Sequence, residues 1–141
     1  MEILKQRILK AMSLTSDFYE FLNEDTLSLK IPDVPSNTIG EQAYCIIGAR
    51  ESYLKALVKG EWAGFECSLN DHLDKTLIIS SLETTRTQTE QFLQETPVSD
   101  MKLDLLIDLL EHEVQHHGQL IRYGYGNKIP FPDSWNRRYT V

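Results

Sequence analysis

LDLLIDLLEHEVQHHGQLIRYG, Leu103 to Gly124, decides the fold class, because its apolar residues recur every three or four positions without a break. That period matches the roughly 3.6 residues of an α-helical turn, so the stretch predicts one long helix. On a wheel at about 100° per residue, Asp104, Asp108, Glu111, Gln115 and Arg122 form a narrow polar stripe. Leu103, Leu106, Ile107, Leu110, Val114 and Ile121 gather opposite, with His117 among them, and are the expected core face. A second apolar row runs through Leu105 and Leu109 and continues as His112 and His116. Spaced i, i+4, these two histidines point the same way, toward a neighbouring helix.

Three more helical patterns precede this one. The first runs from about Ile3 to Asn23. The second opens on Thr38 with Glu41 three residues on, the pattern of a capping box, and closes at Lys59 with Gly60 placed to cap it. The third runs from Asn70 or Asp71 to Glu95, stopped by Pro97. The fourth is expected to start after Ser99, a favourable N-cap, and to end at Gly124 or Gly126. No stretch reads as a strand. The tail NKIPFPDSWNRRYTV holds two prolines and cannot extend the helix. Its Ile129, Phe131, Trp135 and Tyr139 are too apolar to hang free, which predicts an irregular strap against the core. Together these elements predict an all-α protein, a four-helix bundle forming a single domain over residues 1–141. The loops after helices one and two exceed what a tight up-down bundle requires, so crossover connections are expected.

Composition narrows the function classes. The chain has 141 residues, 41% hydrophobic and 25% charged, ordinary proportions for a globular core. Its formal net charge of -7 disfavours nucleic acid as a partner. No apolar run approaches the roughly 20 residues that span a bilayer, so no membrane partner is expected. The opening MEILKQRILKAM lacks a secretory apolar region, and Cys45 and Cys67 are too few for a disulfide framework. A cytoplasmic protein with reduced thiols is the expectation.

Two imidazoles on one helix are half of a metal site, since a catalytic metal takes a third protein ligand and keeps one position open. His72, Cys45, Cys67, Glu41 and acids on the other helices are the candidates for that third place. The alternative is a pair that fills an interhelical flank, hydrogen-bonded to whatever lies across. Helix two presents Ile39, Ala43, Ile46, Ile47, Tyr53, Leu54 and Leu57 on one face, with Arg50 in its middle, which calls for a buried carboxylate. Its second face carries Glu41, Cys45, Gly48, Ala49, Ser52 and Ala56, small enough overall for another helix to approach closely, within the chain or across a homodimer.

TIGEQAYCIIGAR (Thr38 to Arg50) together with HEVQHHGQLIRYG (His112 to Gly124) resembles the DinB-like metal-binding four-helix bundles. The resemblance implies a divalent metal, zinc or nickel, held by one histidine from helix two and a pair from helix four. The pair falls on His112 and His116, and the helix-two position falls on Cys45. Either the metal ligands are Cys45, His112 and His116, or the site has lost its metal. The first case implies a metal-dependent thiol S-transferase or hydrolase acting on a small-molecule thiol or other substrate. Tyr44, Tyr123 and Trp135 are then candidates to line its pocket. The second implies a non-catalytic dimeric bundle that binds a ligand or partner. Arg137 and Arg138 in the tail are placed to pair with the acidic surface or to meet an anion.

Overall fold

A computed structural model describes residues 1–141 and is all-helical, with five helices and no strand. The helices are α1 (Glu2–Phe21), α2 (Ile39–Lys59), α3 (Lys75–Glu95), α4 (Leu103–Gly126) and α5 (Asp133–Tyr139), with short 3-10 turns at Glu24–Ser28 and Val98–Asp100. No helix is long and apolar enough to cross a membrane.

Local chemistry sets the ends. Thr38 accepts a hydrogen bond from the Glu41 amide at 3.1 Å, and Gly60 closes α2 at φ 85°, a left-handed conformation that suits glycine. Helix α3 begins later than expected, at Lys75. Asp71 spends its carboxylate on a local turn, accepting from the Leu73 amide at 2.9 Å, and Asp74 caps instead, accepting from the Leu77 amide at 3.0 Å. Helix α4 starts at Leu103 rather than after Ser99, because Val98–Asp100 is drawn into a separate 3-10 turn. The tail differs from an irregular strap: Asp133–Tyr139 forms a helical turn and a half or more, and Trp135 is fully buried, its indole N–H donating to the Leu14 carbonyl at 2.6 Å.

The four long helices form a bundle-like ring in which α1 packs on α3 and α4, and α2 on α3 and α4. The buried side chains fall into two apolar clusters. One joins Phe18, Tyr19, Ile46, Ile78, Leu120 and Trp135; the other joins Ile8, Met12, Leu57, Leu93, Leu106 and Leu109. Along α1 and α4 the chain passes from the second cluster to the first, and along α2 and α3 from the first to the second. Helices α2 and α3 therefore run the same way, and the chain must travel back a helix length between them. At 21 residues α2 is about 32 Å long, within the roughly 46 Å that residues 61–74 span when extended.

That return segment lies on the small-residue face of α2, where sequence pattern pointed to another helix. The Ser52 hydroxyl donates to the Glu66 carbonyl at 3.1 Å and accepts from its amide at 2.9 Å, and the Cys67 thiol donates to the Tyr44 carbonyl at 3.3 Å. Gly48 permits the contact: a Cβ there would overlap the Phe65 ring and sit 2.8 Å from the Cβ of Cys67.

Candidate functional site

On α4 the buried stripe is Leu106, Leu109, Glu113, His116, His117, Leu120 and Tyr123, while Leu103, Ile107 and Val114 are exposed. The core face is thus turned about a quarter of a revolution from the one the apolar count suggested. It lies between the two apolar rows, and its centre is a carboxylate. Counting hydrophobic residues alone could not find it, because the polar groups at the centre read as surface.

The histidine pair does face inward. The His112 and His116 rings lie 4.5 Å apart between centroids. Across from them on α2 stands Gln42, whose Oε1 lies 2.5 Å from Nδ1 of His116. A carbonyl oxygen only accepts, so Nδ1 of His116 carries the proton and donates. Gln42 is in turn fixed by Asn37, to whose Oδ1 it donates at 2.9 Å, and Tyr123 donates to the Asn37 carbonyl at 2.8 Å. Burial, then the neighbouring His112, holds His116 down to about 4, so it is neutral at pH 7. His112 is also lowered by burial, and its Nδ1 is buried without a partner.

Cys45 follows Gln42 by three residues on the same helix. No group of three or more His, Cys, Asp or Glu side chains is arranged to hold a metal ion. Cys45 is half-buried with a free thiol, raised by burial and by Glu41 and therefore protonated at neutral pH. His72 lies outside the helices, its carbonyl set against Gly40. Of the aromatic residues considered for a pocket, Tyr123 and Trp135 belong to the core, and Tyr44 is exposed beside Phe65 at 6.1 Å between centroids.

Between the two apolar clusters lies a buried polar layer. Arg50 is fully buried and uses all five of its N–H donors. Nε donates to Oε2 of Glu113 at 3.1 Å, Nη1 to the Leu82 carbonyl at 3.0 Å and Thr85 Oγ1 at 3.2 Å, and Nη2 to the Met12 carbonyl at 3.3 Å and to Oε1 of Glu113. Burial pushes Glu113 up, but Arg50 outweighs it and holds the carboxyl below its ordinary value. Glu113 also lies 2.6 Å from Thr15 Oγ1, which is 2.7 Å from Nε2 of His117, and Nδ1 of His117 is 2.6 Å from the Tyr139 hydroxyl. One proton ordering satisfies every member: Tyr139 donates to His117, His117 Nε2–H to Thr15, and Thr15 to Glu113. His117 is neutral, held at about 4 by burial against the pull of Glu113.

This layer gives Arg50 its carboxylate and draws at least one group from each of α1, α2, α3, α4 and α5. Glu113, Thr15, Gln42 and Tyr139 are the residues that pattern-reading missed. No family model matches the chain, and no curated protein matches it.

Proposed function

We propose that the chain is a DinB-like helical bundle whose metal site is degenerate, and that it acts as a ligand-binding module rather than a metal-dependent enzyme. One observation carries the reading: an amide side chain, Gln42, faces His116 from α2, and no group of three His, Cys, Asp or Glu side chains is arranged to hold a metal ion. Two neutral imidazoles hold a divalent ion weakly, and a protonated thiol must first lose its proton to help. An amide carbonyl is a poor ligand for zinc or nickel beside imidazole and thiolate. The family resemblance of TIGEQAYCIIGAR and HEVQHHGQLIRYG supports the bundle type.

Elemental analysis of tag-free protein incubated with zinc and nickel tests the reading. We expect less than about a tenth of an equivalent of either metal after desalting. Stoichiometric metal, lost in His116→Ala, would overturn it and restore the thiol-transferase or hydrolase assignment. The double substitution Gln42→Ala, Cys45→His should raise zinc affinity by at least about tenfold if the bundle geometry is of the metal-binding type.

A further inference from the structure

We propose that the cleft between α1 and α5 binds an organic phosphate, its charged head among the cations and its apolar body against α4. The inference rests on the reading of the chain as a ligand-binding module and supplies its ligand class. The cleft is open to solvent and has a volume of about 790 Å³, of the size small-molecule sites have. Arg7 and Lys10 from α1 line it together with Arg137 and Arg138 from α5, more than a hundred residues away in the chain. In a chain with 14 basic residues against 21 acidic, four of the basic ones converge here.

None of the four has a carboxylate within 4.0 Å, as is true of every basic residue except Arg50, Lys55 and Arg86. Asp17 is the single acid lining the cleft, which leaves four positive charges against one negative. All four are solvent-exposed, so water and salt screen their mutual repulsion, and an anion entering the cleft relieves what remains. Ser134 also lines the cleft, its Oγ turned out of reach of the cleft's open space.

The head is a phosphate because guanidinium forks match its oxygens and a dianion answers four cations better than a carboxylate does. The body is apolar because the cleft continues into a smaller lobe of about 130 Å³ that shares Arg7, Lys10 and Arg138 and is walled by Ala11, Leu110, Val114 and Tyr139. Arg138 marks the boundary, its guanidinium carbon 5.1 Å from the Tyr139 ring centre. A polyanion or an anionic membrane would meet the rest of a surface whose net charge is -7, which favours a small anion that fits inside the cleft.

Calorimetric titration of tag-free protein with phenyl phosphate, and with inorganic phosphate as the head alone, tests the site, with elemental analysis on the same preparation. We expect saturable one-site binding of phenyl phosphate, at least about tenfold tighter than inorganic phosphate. The pair Arg7→Gln, Arg138→Gln should weaken it by at least about tenfold, while Lys128→Gln, a surface cation outside the cleft, leaves it unchanged. Lys10→Gln, exposed on a helix, should weaken it in the same direction and serves should the double variant lose its fold. Absence of saturable binding up to about 10 mM, an equal loss from Lys128→Gln, or a preference for a single-stranded oligonucleotide or anionic vesicles over phenyl phosphate overturns the proposal. Stoichiometric zinc with phenyl phosphate binding intact overturns only the metal-free reading and leaves the anion site standing.

Discussion

Arg50 and Glu113 are single residues on which the interior turns. A buried guanidinium with a bidentate carboxylate and three further acceptors is fully satisfied, but its worth lies in both partners being present. Removing Glu113 leaves an uncompensated charge at 0% side-chain exposure. Glu113→Leu should therefore cost about 3–5 kcal/mol, read from the shift in urea midpoint. Arg50→Met alone should cost a similar amount, whereas the double variant should recover most of the loss, since an apolar pair of similar volume needs no counter-charge. A double variant as unstable as the two singles added together would show that the layer's hydrogen bonds, not its charge balance, hold it. Half of this pair was legible beforehand. Arg50 stood in the middle of an apolar face and demanded a carboxylate. Glu113 did not announce itself, because a lone acid among charged and histidine residues looks like surface until the wheel is turned onto its true centre.

The elements follow the same division between what local pattern determines and what tertiary contact decides. Four long helices, the Thr38 cap and the Gly60 stop are properties of short stretches, and short stretches reveal them. The path between α2 and α3 is not such a property, since small residues on a helix face invite any close neighbour and do not say whether it is helix or extended chain. Gly48 and Gly118 distinguish the two situations. Nothing lies within 4 Å of a Cβ built at Gly118, which is exposed mid-helix although it belongs to the motif HHGQ. Gly118→Ala should therefore stabilise the protein by about 0.5–1 kcal/mol through helix propensity alone. At Gly48 the same gain is opposed by overlap with Phe65 and Cys67. We expect Gly48→Ala to lower the melting temperature and to raise amide exchange in residues 61–74 selectively. A stabilising Gly48→Ala would mean that the return segment rests on α2 without being held by it. The histidine pair belongs to this scale too: its inward direction followed from the spacing on α4, but its partner was set by which turn of α2 lies opposite. Gln42 is the residue that hydrogen-bonds to His116.

For the whole molecule the buried layer sets how stability responds to pH, and two opposing effects can be weighed. With a formal net charge of -7 the surface repels itself, and protonating exposed carboxylates relieves that repulsion, so acidification alone would stabilise the fold. The interior acts the other way. His117 is held at about 4, against 6.5 for an ordinary histidine, so the unfolded chain binds its proton first. Its contribution is complete above pH 6.5 and is lost as the pH falls toward 4, about 2 kcal/mol of it by pH 5. Glu113, lowered from 4.5, contributes above that value and loses its contribution as the pH falls through its folded-state value. The groups facing His117 are Thr15, Glu113, Arg50, Tyr139 and Arg138, and of these only Glu113 favours the charged imidazole. Charges on the exposed surface are screened at physiological salt, so between pH 7 and 5 the buried histidine dominates. The urea midpoint should be flat from pH 8 to 7, fall between pH 6.5 and 5, and fall more steeply below pH 4.5. His117→Gln, which keeps a polar side chain facing Thr15 and Tyr139 but cannot titrate, should start less stable and lose less between pH 7 and 5. A wild-type midpoint that rises over that interval would place the controlling charges on the surface and leave the buried layer without a role in the pH response.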